Sequence, residues 1–370
     1  MKKIKKGLLK WAGGKEREIA SLELGFPKTI SRYFEPFVGG GSVYLNVNAE
    51  QYFINDYYDE LAEFYKLVLN NNQELKKYLI LLDEVWVKTT HIFSKFSEIL
   101  IESTRTLDSI YLSTRLPLIS ADFFSLFEQD KYSTLLYEGL DFRKEFEKNV
   151  RQKIQRIIKY EQTKGKLSDA DLLDNLKTSF KSAIYTYIRA VYNAYRREGR
   201  IDEPLFIACF FFIRNYCYSS MFRYNSKNEF NVPYGGISYN ENYLGKKIEY
   251  LYSEIHQEKY KKTVIENVDF EIFLDKFNYS ENDFIFLDPP YDSEFSDYAG
   301  NTFSQEDQRR LARILNSTNA KFLLVIKKTD FIENLYKDSQ FNIKIFEKTY
   351  QVSFKNRNNR NVEHLVITNF

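Results

Sequence analysis

The hydrophobic pattern of the chain predicts short strands, three of which are followed by an acidic residue. Residues 284–287, FIFL, form a continuous apolar run, which is typical of a central strand covered on both faces. A shorter run around Tyr33 and Phe34 precedes Glu35, and YFIND at residues 52–56 ends in Asp56. Residues 321–326 and 362–368 predict two late strands, the second of which completes the sheet.

Helical periodicity dominates the middle of the chain. Apolar residues at three- and four-residue spacing, without internal proline, predict helices over residues 74–86, 142–162 and 176–200. Residues 205–213 predict a buried helix, followed by a loop rich in Tyr, Arg, Asn and Gly. Near the end, Ser304 and the acids after it predict a capped helix over residues 304–315.

Composition narrows the class of protein. A chain of 370 residues suffices for one large domain with a smaller domain or an insertion. Cys209 and Cys217 form no CxxC pair, so we expect neither a disulfide framework nor a zinc site, and a reducing, cytoplasmic setting. We also expect no membrane segment, because MKKIKKGLLK lacks a following apolar region and residues 205–213 are too few to span a bilayer. The net charge of +2 means that nucleic-acid binding requires a local basic face.

The strand at residues 284–287 ends abruptly in Asp288, Pro289, Pro290 and Tyr291. Neither proline has an N–H group for a strand ladder, so the chain leaves the sheet here and frees backbone carbonyls. Ligands of open α/β sheets bind at the carboxyl ends of the strands. An acid, a carbonyl and an aromatic face there indicate a pocket for a flat, amine-bearing base. A simple proline turn is the alternative.

Two glycine-containing stretches offer further binding groups. Trp11 and Lys15 flank two glycines in LLKWAGGK. The glycines allow the backbone to approach a ligand closely, Trp11 offers a ring for stacking, and Lys15 supplies a positive charge. Residues 39–41 are GGG and follow Glu35, an arrangement that suits an electroneutral or cationic cofactor better than a pyrophosphate. Asp56, at the end of a second strand, is typical of an acid that binds a ribose diol. A mobile basic terminus and an ordinary turn acid are the alternatives.

Taken in order, LLKWAGGK, FEPFVGGGSVYLN, INDYYDEL, RYNSKNEFNVPYG and DPPY resemble the motifs of DNA adenine methylases of the Dam type. The resemblance covers residues 8–70 and about residues 205–370. It implies a doubly wound, Rossmann-like α/β methyltransferase sheet with a helical insertion and a DNA-recognition region. It also implies S-adenosylmethionine as cofactor, no metal, and methyl transfer to the amine of an adenine flipped out of double-stranded DNA.

The resemblance assigns roles residue by residue. The catalytic residues are Asp288, Pro289, Pro290 and Tyr291, with Tyr291 stacked on the adenine, and Phe295 and Tyr298 match an element that follows them. The cofactor-binding residues are Trp11, Lys15, Glu35, Phe37, Gly39, Gly41, Asp56 and Asp288. The DNA-binding residues are Lys10, Tyr218, Ser219, Met221, Arg223 and Pro233.

Within the recognition region, Arg223 matches an arginine that specifies guanine, and Tyr218 matches an aromatic wedge. Ser219, Met221 and Ile237 stand where the family carries Asn, Leu and Tyr, which leaves the recognised sequence open. A phosphate contact is the alternative role for Arg223.

The resemblance divides the chain into a catalytic domain (residues 1–70 and 262–370), a helical insertion (71–204) and a target-recognition region (205–261). The insertion departs from the compact family pattern. Its basic residues, and those of the polar loop at residues 351–361, either face phosphates or form a solvated surface.

The function expected is site-specific adenine methylation of double-stranded DNA, within a restriction-modification or related system. The alternatives are methylation of RNA or of a cytosine amine, and a DNA-binding protein that keeps the cofactor fold for structure alone. We expect a monomer or a weak dimer, with a cognate restriction endonuclease in the same system but no obligate complex.

Overall fold

The computed structural model describes residues 5–11, 13–16, 18–106, 109–290, 303–337, 340–349 and 361–370. For residues 109–114, 126, 346–349 and 361–362 it describes the backbone alone. The chain divides into two compact units. Residues 1–70 and 254–370 form the sheet unit, and residues 71–253 form the helical unit.

The described part of the sheet unit contains one seven-stranded sheet. Its strands are β1 (Arg32–Glu35), β2 (Gln51–Asn55), β3 (Thr263–Glu266), β4 (Phe284–Leu287), β5 (Lys321–Lys327), β6 (Asn342–Thr349) and β7 (Asn361–Thr368). They lie in the order β3-β2-β1-β4-β5-β7-β6. Strands β1 to β5 pair in parallel, whereas β7 is antiparallel to both of its neighbours. The doubly wound, Rossmann-like α/β fold expected from the sequence is confirmed.

Helices flank the sheet and fill the helical unit. Those of the sheet unit are α1 (Ile19–Leu22), α2 (Ser42–Asn46), α3 (Asp59–Leu69), α11 (Glu254–Tyr260), α12 (Phe270–Asp275), α13 (Gln305–Ser317) and α14 (Asp330–Tyr336). Those of the helical unit are α4 (Gln73–Arg105), α5 (Ser109–Phe127), α6 (Asp130–Ser133), α7 (Phe142–Lys164), α8 (Asp169–Arg197), α9 (Pro204–Tyr216) and α10 (Gly245–Leu251).

Strand β4 is the central strand that its apolar run predicts. All four of its side chains are fully buried, and it pairs with β1 on one side and β5 on the other. Ile285 and Leu287 belong to a core cluster with residues of α12, α13 and α14. Phe284 and Phe286 contact the ring of Phe26 instead, at centroid distances of 5.3 and 6.1 Å. Because alternate side chains point to opposite faces, both faces of β4 are covered.

The sheet edges differ from the sequence prediction. Strand β3 and strand β6 were not predicted, and β6 rather than β7 forms the edge of the sheet. Ile343 and Ile345 of β6 are 39% and 54% exposed, and Val264 of β3 is 47% exposed. An edge strand lacks the long apolar run of a central strand, because solvent covers part of its surface. The hydrophobic pattern therefore marked the centre of the sheet better than its edges.

The predicted start of α13 is confirmed by its cap. The Ser304 hydroxyl accepts a hydrogen bond from the Asp307 N–H at 3.2 Å, and the Ser304 N–H donates to the Asp307 carboxylate at 2.7 Å. This reciprocal capping box satisfies backbone groups that a helix start leaves open.

The helical unit contains the predicted helices with some extensions. Helix α4 runs for 33 residues, beyond the predicted 74–86, and α5 was not predicted. Pro117 lies inside α5. A proline in a helix interior removes one backbone hydrogen bond, so this sequence is less typical of a helix than its neighbours. Trp86 of α4 packs on Tyr216 of α9, with ring centroids 4.2 Å apart. None of the described helices is both long enough and apolar enough to cross a membrane.

Candidate active site

The acidic residues that follow strands β1, β2 and β4 mark one edge of the sheet. Glu35 ends β1, Asp56 follows β2 and Asp288 follows β4. Strands β1 and β4 are neighbours, and the chain order proceeds in opposite directions on either side of them. Such a topological switch point opens a crevice at the carboxyl ends of the strands, where α/β proteins bind ligands.

Asp288 pairs with a lysine that lies 273 positions earlier in the chain. The Lys15 ammonium donates to Asp288 Oδ2, and it also donates to the Gly13 carbonyl at 3.1 Å. The Lys15 side chain is 2% exposed and that of Asp288 is 19% exposed. The Lys15 backbone N–H donates to the Ser42 hydroxyl at 3.1 Å, which anchors the loop on the start of α2. A buried cation therefore holds one oxygen of the carboxylate.

The glycine turn after β1 approaches its neighbours closely. Gly39 and Gly41 have φ angles of +49° and +74°, which L side chains rarely adopt. A Cβ atom on Gly39 would lie 2.9 Å from Cδ1 of Trp11. The Tyr65 hydroxyl donates to the Gly39 carbonyl at 2.9 Å and supports the turn from α3. The predicted residues Trp11, Gly39 and Gly41 thus lie in one part of the site.

Asp56 joins the same turn. Its Oδ2 accepts the Gly39 N–H and its Oδ1 accepts the Tyr58 N–H, each at 3.0 Å. Desolvation raises the pKa of Asp56 to about 6, although these backbone hydrogen bonds act in the opposite direction. The ring of Tyr58 lies 5.6 Å from that of Trp11. The site therefore combines a partly exposed carboxylate with aromatic side chains.

Glu35 is 2% exposed, and the Tyr33 hydroxyl donates to it at 2.7 Å. Burial raises the pKa of Glu35 well above its usual range, and the charge of Asp288 acts in the same direction. Phe37 is half-buried against Phe270 and Phe303, each at a centroid distance of 5.5 Å. Direct contact of Glu35 or Phe37 with a cofactor stays a prediction.

The turn after Asp288 is described only as far as residue 290. Pro289 is buried and Pro290 is exposed, and the Pro290 carbonyl accepts a hydrogen bond from Gln308 Nε2 at 3.2 Å. The predicted residues Tyr291, Phe295 and Tyr298 lie outside the described residues, as does most of the polar loop at residues 351–361.

Several residues that support the site were not predicted. They act through side-chain hydrogen bonds to backbone groups, and they are Ser42, Asn55, Tyr65 and Gln308. Asn55 is the most connected, because its amide donates to the carbonyls of Pro36 and Val268 and accepts the Val268 N–H, all at 3.0 Å. It thereby ties the segments after β1 and β3 together. Ser42 and Asn55 lie within the motifs FEPFVGGGSVYLN and INDYYDEL, which is a signal in the sequence, whereas nothing local distinguishes the Tyr65 hydroxyl.

The predicted DNA-binding residues are divided between the two units. Lys10 lies half-buried in the sheet unit. The other five lie in the helical unit, on a hairpin of residues 217–234 that we call the recognition hairpin. Its antiparallel bridges join Cys217 to Tyr234 and Tyr224 to Phe230. These five residues are Tyr218, Ser219, Met221, Arg223 and Pro233, and all except the half-buried Met221 are exposed.

The base of the recognition hairpin has an unusual backbone. Ser219 and Ser220 have φ angles of +51° and +53°. Arg214, which is 1% exposed, donates to the carbonyls of Ser220 and Met221 at 3.2 and 2.8 Å. A non-glycine residue at positive φ is uncommon, and serine tolerates it less well than asparagine. The buried Arg214 guanidinium stabilises the turn through these two carbonyls.

Arg223 is oriented by the opposite arm of the hairpin. Its Nε donates to the Asn231 side-chain oxygen at 2.8 Å, and the Asn231 N–H donates to the Arg223 carbonyl at 3.2 Å. Because this hydrogen bond uses Nε, the two terminal nitrogens of the guanidinium lie at the opposite end of the group from Asn231. That end can meet two acceptors on one guanine edge.

No group of His, Cys, Asp and Glu residues within the described part of the chain has the arrangement of a metal site. Acceptors, aromatic rings and a buried ion pair instead define the crevice.

Comparison with known proteins identifies the class of this enzyme. Residues 11–352 match the family model of the D12 class N6 adenine-specific DNA methyltransferase. The chain is 34% identical to the type II methyltransferase M.CviBI of Paramecium bursaria Chlorella virus NC1A, over 51% of this chain and 72% of that protein. It is 28% identical to the type II methyltransferase M.MjaIII of Methanocaldococcus jannaschii, over 92% and 90% of the two chains. It is 24% identical to the DNA adenine methylase of Haemophilus influenzae, over 90% and 83%.

The family match spans the glycine turn, the recognition hairpin and the turn that carries Asp288. It supports methyl transfer to the 6-amino group of adenine in DNA, and it gives no support to the alternatives of an RNA methylase, a cytosine-amine methylase or a non-catalytic binding protein. The chain belongs to the D12 class of adenine-specific DNA methyltransferases.

Proposed function

We propose that this enzyme transfers a methyl group from S-adenosylmethionine to the 6-amino group of an adenine that is flipped out of double-stranded DNA at a specific sequence. The observation that carries the proposal is the Asp288 carboxylate, held by the buried Lys15 at the switch point between β1 and β4. Flipping is required because the amine is otherwise paired inside the duplex.

Asp288 and the Pro289 carbonyl act as hydrogen-bond acceptors for the two N–H groups of the amine. An aromatic amine is a weak nucleophile, because its lone pair is delocalised into the ring. Two acceptors pull the N–H groups toward tetrahedral geometry and return the lone pair to nitrogen. Tyr291 stacks on the adenine ring in this proposal.

Lys15 is a positioning residue for Asp288. It donates to Oδ2 of the carboxylate and to the Gly13 carbonyl, so the carboxylate has one oxygen anchored and one oxygen for the amine. Positioning of this kind supplies a large part of a rate enhancement, since a small misplacement of a reacting group lowers the rate strongly.

The cofactor site comprises Trp11, Lys15, Phe37, the glycine turn and Asp56, with Glu35 beneath it. Two observations indicate that these residues fit S-adenosylmethionine. Gly39 approaches Trp11 so closely that a Cβ atom at position 39 would fill the space between them, and the Asp56 carboxylate lies beside aromatic rings. Asp56 accepts ribose hydroxyls, and Trp11 packs on the nucleoside. When bound, the cofactor supplies an electrophilic methyl group on a sulfonium. Asp56 and Asp288 would contribute negative charge to the site that holds this cationic cofactor.

The recognition hairpin contacts the target DNA in this proposal. Arg223 pairs with a guanine near the target adenine, and Tyr218, which is 49% exposed, wedges into the duplex. Lys10, Ser219, Met221 and Pro233 supply further contacts.

We further propose that the enzyme is the modification half of a restriction-modification system and acts as a monomer or a weak dimer. The names of two relatives, both type II methyltransferases, support the first part. An endonuclease that shares the recognition sequence is then a functional partner without an obligate complex.

Transfer of a labelled methyl group tests the function. Purified enzyme and S-adenosylmethionine labelled in the methyl group are incubated with duplex DNA, single-stranded DNA, RNA and protein in separate reactions. We expect label in duplex DNA, recovered as 6-methyladenine after digestion to nucleosides. Label confined to RNA or protein, or recovered as methylcytosine, would refute the proposal. Asp288→Ala enzyme is the matched negative control.

A further inference from the structure

Helix α8 presents one stripe of side chains to the recognition hairpin. The residues of this stripe recur at three- and four-residue spacing, so they share one face of the helix. They are Tyr185, Arg189, Tyr192, Asn193, Arg196 and Arg197, and all of them contact residues 224–232. From the sequence alone, the basic residues on this helix have two alternative roles, phosphate contact or solvated surface.

Asn193 is the centre of the stripe. Its amide Nδ2 donates to the Phe230 carbonyl at 3.1 Å, and its Oδ1 accepts the Phe230 N–H at 2.8 Å. One side chain therefore satisfies both backbone groups of one hairpin residue, as a neighbouring strand would. Phe230 lies beside Asn231, which orients the Arg223 guanidinium.

Two donors converge on the next carbonyl along the hairpin. The Tyr185 hydroxyl and the Arg189 guanidinium both donate to the Val232 carbonyl, each at 2.9 Å. Asn231 is thus flanked on both sides by residues that α8 holds. The guanidinium of Arg189 faces the protein backbone in this arrangement, so its established contact is not to a phosphate.

The outer end of the stripe holds the tip of the hairpin. Arg197 pairs with Glu229 at 2.8 Å, and the hydroxyls of Tyr192 and Tyr224 lie 2.9 Å apart. The Arg196 guanidinium lies 4.7 Å from the centroid of the Tyr224 ring. Salt bridge, hydroxyl pair and cation–π contact all join the same two elements.

The two described arms of the hairpin do not form a continuous strand ladder. Two isolated bridges link its arms, together with backbone hydrogen bonds such as those from the Asn225 N–H to the Glu229 carbonyl at 2.9 Å and from the Asn231 N–H to the Arg223 carbonyl. Its base contains two serines at positive φ. Two-stranded hairpins are marginally stable in water without packing on another element. Helix α8 supplies that element.

We propose that the α8 stripe sets the register and orientation of the recognition hairpin, so that Asn193, Arg189 and Arg197 act as positioning residues for sequence selection by Arg223. This inference rests on the proposed function, because selection requires a hairpin that contacts DNA. It assigns the insertion a defined role: residues of the helical unit, outside the unit that carries Asp288, determine which adenines are methylated.

Two measurements on full-length protein test the inference, with Asn193→Ala as the variant and Asn175→Ala as its control. Asn175 lies on the same helix, and its amide donates within the helix, to the Asp171 carbonyl. Hydrogen exchange reports whether the hairpin is held. Methylation of a library of single-base variants of the site mapped for the wild type reports sequence selection.

We expect faster exchange in residues 224–232 of Asn193→Ala, together with about a tenfold loss of discrimination at the guanine assigned to Arg223. The KM for S-adenosylmethionine is expected to stay within about twofold, because the cofactor residues lie in the sheet unit. Asn175→Ala is expected to behave as wild type in both measurements.

A methylation rate that falls equally for all duplexes of the library would leave the discrimination between them unchanged. This result would refute the inference and indicate a phosphate contact or general instability. Unchanged exchange in residues 224–232 would also refute it. Exchange is measured without DNA, so it tests the positioning contact even where the wild type methylates no duplex; that latter result would refute the proposed function instead.

Arg197 provides a second variant in case Asn193→Ala does not fold. The Arg197–Glu229 pair is partly exposed, and exposed pairs contribute little to stability. Arg197→Ala is expected to loosen selection by about threefold, and Arg197→Lys, which keeps the charge opposite Glu229, is expected to restore most of it. Equal behaviour of the alanine variant and the wild type would contradict the role of this contact.

Discussion

The two oxygens of the Asp288 carboxylate have different surroundings, and this difference explains the choice of an acid at this position. One oxygen accepts from the buried Lys15 ammonium, so the carboxylate cannot rotate freely. A neutral amide in its place would present either an acceptor or a donor to Lys15 and to the amine, and one of the two contacts would be lost.

Asp288→Ala is therefore expected to lower kcat by about 100- to 1000-fold while leaving the Kd for DNA within about threefold, because the lost hydrogen bond acts in the transition state. Asp288→Asn should also lower kcat strongly. Single-turnover methylation and DNA binding, measured side by side, check the expectation. Asp330→Ala, which removes an exposed acid in the same unit, is the control. Wild-type turnover in either Asp288 variant would exclude Asp288 from the chemistry.

Asp56 predicts a pH dependence of cofactor binding. Its pKa is raised to about 6 by desolvation, and the ionised carboxylate is the stronger acceptor for the ribose hydroxyls assigned to it in the proposed function. The KM for S-adenosylmethionine is expected to be lowest at neutral pH and to rise about tenfold for each pH unit below 6. Asp56→Asn should raise the KM and remove this pH dependence. An identical pH profile in both proteins would contradict the assignment.

The same pKa has the opposite consequence for stability. A carboxyl whose pKa is higher in the folded protein than in the unfolded chain binds its proton more tightly when folded. As the pH falls through about 6 toward the pKa of the unfolded chain, Asp56 therefore increases the free energy of unfolding, which means that it stabilises the fold. Lower pH thus favours the fold at this residue while disfavouring the cofactor.

At the scale of elements, the recognition hairpin shows how a short motif depends on its support. Arg223 is oriented by Asn231 on the opposite arm, and the arm is held by α8. The sequence motif RYNSKNEFNVPYG contains both Arg223 and Asn231, but the spacing of eight residues between them does not specify that they pair. The hairpin turn brings them together.

Arg223→Ala is expected to relax the preference at one position of the recognition sequence, at a cost of about 1–3 kcal/mol in discrimination. Arg223→Lys keeps the charge but loses the planar fork, so it should lose the same discrimination while retaining more affinity for all sequences. Mapping of methylated sites in genomic DNA from cells that express each protein checks this. An unchanged motif in both variants would remove the guanine assignment, and equal loss over all sequences would indicate a phosphate contact.

At the scale of the whole molecule, the helical unit contains nearly half of the chain, residues 71–253. Its core is aromatic, with the Trp86 ring 4.2 Å from that of Tyr216 and the Phe146 ring 5.4 Å from that of Phe180. These contacts hold four helices in a compact unit. In the proposed function the recognition hairpin contacts the target bases, and a unit of this size has further surface available to DNA.

We accordingly expect a recognition sequence that is longer or less symmetric than GATC. Sequencing that detects 6-methyladenine in genomic DNA of an expressing cell that lacks other adenine methylases measures it directly. The cell without the gene is the control. A plain GATC motif would leave the helical unit with the positioning role argued above and without a role in contacting additional bases.

The sequence by itself determined the central strands, the glycine turn, Asp56 and the turn after Asp288. Each is a local pattern: a strand buried on both faces needs an uninterrupted apolar run, and a turn at positive φ needs glycine. The order of these motifs also sufficed for the doubly wound fold and the family. Helix α13 was predicted for the same reason, since its capping box lies within four consecutive residues.

Tertiary structure decided what lies between these motifs. The pairing of Lys15 with Asp288 spans 273 positions, and the contact of Asn193 with Phe230 spans 37. A hydrogen bond between distant side chains leaves no periodic trace in the sequence, because its partners need only the right donor and acceptor, not a pattern around them. Strands β3 and β6 were not predicted, because an edge strand is partly exposed to solvent and needs fewer apolar residues. Short motifs therefore determine which functional groups are present. The orientation of those groups depends on contacts that form only when the chain folds.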